Sequence, residues 1–296
     1  MSEMMHCNII FTDTLALGNP GSGKSTVLNS LAEEHFFKSG LSMGQGLTSE
    51  LDEGSNKNGV FLDTPGLADE KLRTASGKAI YQALKKDGHY QILFFVTERN
   101  GRVLQQDATT IKLILEAAPD IGEDYGIIIN MLSNGVMKKF KKNRTFKEDF
   151  LNILFAGITE NRRCPYNSVH FLGKLQELED EDDVLVSSDH FLNEEGMTLT
   201  HFVNNVVPTV NIKKENVSEL RLQDFDKITR DLETVANEMQ LKDMAWKEER
   251  RQYEEERIKK ATEDQKKCQE LEEEIQKEKE KLEALRLKQE VLSSED

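Results

Sequence analysis

Residues 18–26 read GNPGSGKST, three glycines and a lysine ahead of two hydroxyls. Gly18, Gly23, Lys24 and Ser25 fit the spacing G-x-x-x-x-G-K-[ST], and the chemistry of that spacing is capture of a polyphosphate. The run Gly18, Asn19, Pro20, Gly21, Ser22 and Gly23 can curl so that backbone N–H groups face phosphate oxygens. A helix opening at Lys24, Ser25 and Thr26 aims its positive dipole end at the same place. Lys24 is the cation for the β- and γ-phosphates, and the Ser25 hydroxyl is a ligand for Mg2+. A nucleoside triphosphate with Mg2+ is the expected ligand.

Two further stretches extend this site. FLDTPGLAD at 61–69 supplies a D-x-x-G at the end of an expected strand, about forty residues past the lysine. There Asp63 would hold Mg2+ through water and the Gly66 N–H would meet the γ-phosphate, so the loop is ordered while that phosphate is present. Thr48, in QGLTSE, is either a switch hydroxyl on Mg2+ or an ordinary strand threonine. The metal set is then Ser25, Thr48 and Asp63, with Lys24 and Thr48 as the catalytic candidates. Downstream, Asn130-Met131-Leu132-Ser133 runs past the end of an expected strand, with polar side chains at Asn130 and Ser133.

The elements that must carry these residues are short apolar runs alternating with helical patterns, the signature of βα units and a mostly parallel sheet. The expected strands are Thr14–Leu17, Leu47–Asp52, Val60–Asp63, Gln91–Val96, Gly126–Asn130 and Val169–Leu172. The expected helices are Lys24–Phe37, Glu70–Lys86, Asp107–Ala118, Phe146–Phe155 and Met197–Val207. GSNKNG at 54–59 is too short for a helix, so strands two and three should form a hairpin, giving one antiparallel edge strand. The fold class is α/β, with a first domain over 1–210 and a second region over 211–296.

That second region differs in kind. Residues 215–296 hold 25 acidic and 17 basic side chains and neither Gly nor Pro, which fits a long charged helix. Phe225, Ile228, Leu232, Val235, Met239, Trp246 and Tyr253 form a coiled-coil seam, and Leu271, Ile275, Leu282, Leu285 and Leu292 form a second block one residue out of frame. Charged pairs four apart, such as Glu255–Lys259 and Glu263–Lys267, support the helix between them. A straight helix of about 75 residues would reach roughly 110 Å.

Composition narrows the class. The net charge of −15 excludes a broad electrostatic footprint for nucleic acid. Cys7, Cys164 and Cys268 are odd in number and far apart, which argues for reduced thiols in a cytoplasmic protein. No run of apolar residues is long enough to span a bilayer. A basic run, MKKFKKNRTFK at 137–147, interleaves six positive charges with Phe140 and Phe146. It is either a peripheral contact for anionic lipid or a solvated loop leading into the next helix. The six histidines are scattered singly, with no metal-ligand spacing.

With the phosphate loop, the hairpin and DTPG in this order, the first 210 residues resemble the translation-factor-related P-loop GTPases. The finer resemblance is to the immunity-associated nucleotide-binding (GIMAP/AIG-type) family, related to septins and to the chloroplast Toc receptors. GNPGSGKST, GLTSE, DTPGLADEK and VTERNGRVLQQDATTIKLI at 96–114 carry it. It implies a three-layer G domain, GTP/GDP as the nucleotide, and a helical tail. Guanine-specific GTPases of this class usually read the base with N-K-x-D; here Asn130 is kept, but Met131 and Ser133 stand in place of the lysine and the carboxylate, so discrimination of guanine from adenine is expected to weaken by a few kcal/mol. The residues themselves specify only a purine nucleoside triphosphate.

Leu67 follows DTPG where Ras-like enzymes carry a water-orienting glutamine, so turnover by the monomer is expected to be slow. Arg99 and Arg102 are either charges supplied in trans or surface arginines. The reading is a switch or self-assembling GTPase, associating through the G domain or the tail, with protein partners on the coiled coil. Its rivals are a coiled-coil scaffold that binds nucleotide without hydrolysing it, and an ATP-using P-loop kinase. A kinase would want an arginine-rich lid, and 96–114 holds only two arginines.

Overall fold

The computed structural model describes residues 13–40, 48–86, 88–99, 101–158, 168–175, 178 and 184–292. Its contacts divide the chain into two compact units, Met1–Asn237 and Glu238–Asp296. In chain order the first unit holds β1 (Asp13–Gly18), α1 (Lys24–Ala32), β2 (Asp52–Asn56), β3 (Gly59–Asp63), α2 (Arg73–Leu84), β4 (His89–Arg99) and β5 (Arg102–Val103). There follow α3 (Gln105–Ala117), β6 (Gly126–Leu132), α4 (Asn134–Lys142), α5 (Arg144–Ile158), β7 (Val169–Gly173), α6 (Leu199–Asn205) and β8 (Thr209–Asn211). A last helix, α7 (Phe225–Leu292), begins in the first unit, and its residues from 238 on belong to the second.

The sheet runs β2-β3-β1-β4-β6-β7. The ladders β3-β1, β1-β4, β4-β6 and β6-β7 are parallel, while β2 pairs antiparallel with β3 at the edge. Two short strands add to β4 beyond what the sequence pattern indicated: β8 pairs antiparallel with its start and β5 with its end. Parallel strands buried on both faces read as continuous apolar runs, and side chains alternate between the faces. Thus Leu15, Leu17, Ile92, Phe94, Val96, Ile127 and Ile129 join the core under α2, α3 and α5. Their neighbours Ala16, Leu93, Phe95 and Ile128 join the core under α1 and α6. Helices on both faces of one sheet make the three layers expected.

Several boundaries moved for local reasons. The hairpin forms, but its first strand is Asp52–Asn56 instead of Leu47–Asp52. Asn56 pairs with Gly59 across a two-residue turn, and the Asn56 side chain accepts from the Asn58 N–H at 2.8 Å. Leu47 lies outside the described residues, and Thr48 is left out of the ladder. Helix α1 ends at Ala32, five residues early. Glu33 turns left-handed at φ 57, and the buried Asn29 accepts from Phe36 and Phe37 N–H and donates to the Phe37 carbonyl at 2.7 Å. That side chain closes the turn that a longer helix would have occupied.

The basic run is not a loop. It runs from the second half of α4 through Asn143 into the first turn of α5; α4 has its N-cap at Ser133 and Lys139, Lys141 and Lys142 in its last turn, where cations suit the helix dipole. Phe140 is buried and stacks within 4.9 Å to 5.5 Å of Phe171, Phe150 and Phe146. The aromatics thus pack on the core, while Lys138, Lys139, Lys141, Lys142 and Arg144 face out and Lys147 pairs with Glu194.

The first unit also ends later than residue 210. Phe225 is fully buried, Leu232 and Ala236 nearly so, and the Thr229 hydroxyl meets the Thr109 hydroxyl of α3 at 2.9 Å. Arg73 of α2 lies over the Phe225 ring at 4.2 Å and reaches the Asp226 carboxylate at 3.1 Å. In the second unit Leu241, Met244, Trp246, Tyr253, Ile258, Leu271, Ile275 and Leu282 are all exposed. Ion pairs such as Arg251–Glu248 and Arg257–Glu254 run along the helix surface. The side chains of Leu285 and Leu292 lie outside the described set. Cys268 is exposed, and Cys7 and Cys164 fall outside the described residues.

Candidate functional site

The loop between β1 and α1 is held from two sides. Gly23 occupies the N-cap of α1 at φ 84, and a Cβ there would lie 2.3 Å from Asn130 Nδ2. Both the left-handed backbone and the close approach require glycine. Asn130 in turn donates to the Ser22 carbonyl at 2.9 Å, so the end of β6 braces the loop. On the other side Gly66 lies flat against it: a Cβ on Gly66 would come 2.2 Å from Pro20 Cδ. Gly21 is exposed at the loop tip, and Thr26 sits half-buried on α1. The separately read motifs therefore meet at one place.

Lys24 is buried, and its ammonium donates to the carbonyls of Gly18 at 3.1 Å and Asn19 at 3.2 Å. An ammonium has three donors, so one remains for an anion. Burial pulls its pKa below the usual lysine value, while Asp63 and Asp107 pull it back. Opposite it, Asp63 is completely buried and its Oδ2 accepts from Ser25 Oγ at 2.6 Å and from Thr48 Oγ1 at 2.9 Å. The two hydroxyls are 3.4 Å apart. Asp63 Oδ1 is buried without a hydrogen-bond partner. Burial raises the Asp63 pKa, countered by Lys24 and then by the two hydroxyls. All three residues of the expected metal set thus converge on one oxygen, although they come from α1, β3 and the segment before β2.

Sequence reading gave no role to Asp107, which the structure places in the same network. It sits in the first turn of α3 at 2% exposure. Its Oδ1 accepts from Asn19 Nδ2 at 2.7 Å, and its Oδ2 accepts from the Thr97 N–H at 2.8 Å and the Thr97 hydroxyl at 3.0 Å. The side-chain oxygen of Asn19, Oδ1, accepts from the Ala68 N–H at 3.1 Å and the Thr110 hydroxyl at 2.8 Å. The available signal was polar residues at Asp107 and Thr110, one helical turn apart on a face otherwise apolar. Burial raises the Asp107 pKa, opposed first by the Thr97 N–H.

The remaining candidates divide. Ser133 Oγ accepts from the Val136 N–H at 3.3 Å as the N-cap of α4, and Met131 stands before it at φ 60, half out of the protein. Leu67 points into the core at 0% exposure, and only its carbonyl is engaged, by Arg73 Nε at 2.9 Å. Arg99 and Arg102 are both exposed and face each other across the β4–β5 ribbon. One histidine is far from ordinary: His170 of β7 is wholly buried against Phe202, and neither ring nitrogen makes a well-formed hydrogen bond. Burial lowers its pKa to about 4, against a weaker upward pull from the Phe191 backbone.

Residues 13–131 match the family described as 50S ribosome-binding GTPase, and this part of the chain is a P-loop GTPase G domain. No curated protein matches the chain. Similar solved structures include Toc33 from Arabidopsis thaliana in complex with GDP and Mg2+, at 16% identity over 68% of this chain and 88% of that one, with a TM-score of 0.46. NFeoB from S. thermophilus bound to GDP·AlF4− and K+ is 17% identical over 71% of this chain and 65% of that one, with a TM-score of 0.38. Era from Aquifex aeolicus bound to GDP·AlF4− is 20% identical over 54% and 50% of the two chains, with a TM-score of 0.35. At these identities and scores the likeness assigns no role to any residue. Among the described residues, no helix is long and apolar enough to cross a membrane.

Proposed function

We propose that the chain binds GTP or GDP with Mg2+, hydrolyses GTP slowly, and works as a nucleotide-dependent switch or self-assembling GTPase of the immunity-associated (AIG-type) kind. The observation that carries this reading is the convergence of Ser25, Thr48 and Asp63 beside Lys24, on a loop braced by Asn130 and Gly66. The donor set suits the ion. A hard cation takes oxygen ligands, and a buried carboxylate oxygen without a partner, Asp63 Oδ1, stands beside two hydroxyls. Bound there, Mg2+ supplies neutralisation of the charge on the β- and γ-phosphate oxygens.

The chain's own residues do the rest. The third N–H of Lys24 is available to a phosphate oxygen, and a polyanion beside it would restore the pKa that burial depresses. Thr48 lies outside any strand, so its segment can be held by the site and released from it. Leu67 cannot orient water, because an alkyl side chain has no hydrogen-bonding group and this one is turned into the core. Slow turnover follows. Help in trans is open to the exposed Arg99 and Arg102, whose ribbon is the candidate surface for a second copy. The same Leu67 also favours a second reading, a scaffold that binds nucleotide without hydrolysis.

Calorimetric titration with Mg2+ and non-hydrolysable analogues of GTP and ATP tests the proposal, with light scattering of each complex and phosphate release under excess GTP. GTP should bind at least about tenfold tighter than ATP. Lys24→Ala should weaken binding about 100-fold, the loss of a buried charged hydrogen-bond donor. Binding of neither nucleotide would overturn the proposal. Binding without any phosphate release would leave the scaffold reading.

A further inference from the structure

We infer that Asp107 is a positioning residue: through the amide of Asn19 it pins the loop after DTPG against the phosphate loop, and so sets how well the site tells a triphosphate from a diphosphate. This rests on the nucleotide site proposed above and names a device within it that the residues of 96–114 supply.

The Asn19 amide can point only one way. Asn19 stands between a group that can only donate, the Ala68 N–H, and a carboxylate that accepts, Asp107. Its NH2 must face Asp107, so its carbonyl oxygen must face Ala68. Asp107 is fixed in turn by the backbone and hydroxyl of Thr97 at the sheet end, 2.8 Å and 3.0 Å away. The Thr110 hydroxyl, one turn further along α3, donates to the same Asn19 oxygen. Rigid sheet and helix therefore hold a side chain of the phosphate loop in one orientation, and that side chain holds Ala68.

Ala68 is two residues past Gly66, whose backbone touches Pro20 and Asn19. The Gly66 N–H is the group expected to meet a γ-phosphate. Its position against the phosphate loop is thus fixed on one side by packing and on the other by the Ala68–Asn19–Asp107 chain. An asparagine at 107 could offer either NH2 or oxygen to Asn19, so the orientation would no longer be imposed and the Ala68 N–H would lose its assured acceptor. Asp107 also attracts Lys24 at a distance. Because Lys24 faces the γ- as well as the β-phosphate, that effect can also enter the affinity ratio; exchange at the Ala68 amide, and Asn19→Ala with the carboxylate left in place, isolate the loop.

The experiment measures affinities of the intact chain for Mg·GDP and for Mg2+ with a non-hydrolysable GTP analogue, together with hydrogen exchange at the Ala68 amide. Asp107→Asn should lower the triphosphate-to-diphosphate affinity ratio about tenfold and speed Ala68 exchange, with Mg·GDP affinity shifting less than about threefold. Asn19→Ala removes the same acceptor without touching the carboxylate and should act alike if Asp107→Asn folds poorly. Thr109→Val, which loses the contact to Thr229 on the other side of α3, should leave the ratio and Ala68 unchanged. An unchanged ratio and unchanged Ala68 exchange in a folded variant overturn the inference. If the native chain binds neither nucleotide, the proposed function fails, and Ala68 exchange still decides whether Asp107 positions the loop.

Discussion

Phe225 and Trp246 stand on one apolar row of the same helix, yet the first is wholly buried and the second is 60% exposed. Up to Asn237 the helix packs within the first unit: Thr229 reaches Thr109, and Arg73 covers the Phe225 ring. From Glu238 on the same spacing recurs, but the described apolar side chains face solvent and the ion pairs join neighbours on one surface. A row of apolar residues at helical spacing says that a face wants cover. Whether this chain covers it depends on what else folds nearby.

The largest test of that contrast is a pair of truncations. Phe225→Ala should destabilise the first unit by about 3–5 kcal/mol, because a buried ring leaves a cavity as well as losing its transfer energy. Trp246→Ala should change it by less than about 0.5 kcal/mol. Urea denaturation followed by fluorescence and circular dichroism measures both, and equal effects would break the comparison.

Acid should separate the regions next. The folded pKa of His170 is lowered to about 4, below its unfolded value near 6.5. The unfolded chain therefore binds the proton first, and stability is lost as pH falls from about 6.5 towards 4. The loss attributable to this residue is roughly 3 kcal/mol. His170→Phe should flatten that part of the stability profile, measured as melting temperature against pH beside the native chain. Asp63 and Asp107, whose pKa values are raised, work in the opposite direction and are common to both proteins. An identical slope in the variant would mean that the buried imidazole is hydrated.

The smallest effect expected is from removal of residues 238–296. Melting of the first unit should shift by no more than about 1 °C, since the described apolar side chains beyond 237 are exposed. Light scattering of the two forms then sharpens the comparison. If the intact chain is larger than a monomer and the shortened one is not, a second copy covers the exposed row.

Much of the site could be read directly. Gly23 must be glycine for its own backbone, Lys24 and Ser25 follow it in the helix that the loop opens, and DTPG ends a strand whose apolar run is plain. What could not be read was the partner of each polar group. Asn130 looked like a base reader, and the structure has it bracing Ser22; Phe140 and Phe146 looked available to a membrane, but Phe140 packs on Phe171 and Phe150, with Phe146 against it. His170 counted as one of six scattered histidines until burial singled it out.

The division follows from range. Backbone conformation, helix periodicity and strand alternation are fixed by residues a few positions apart, so the sequence alone determined the phosphate loop, the main strands and helices around it and the charged character of the tail, but not β5, β8 or α4. The tertiary structure decided what depends on contacts between distant segments. Asn19 and Asp107 are 88 positions apart, and Thr109 and Thr229 are 120 apart. A carboxylate in a helix reads the same whether solvent or an amide receives it. Only the folded chain, by removing water from one face of α3, made Asp107 a buried acceptor that Asn19 must answer.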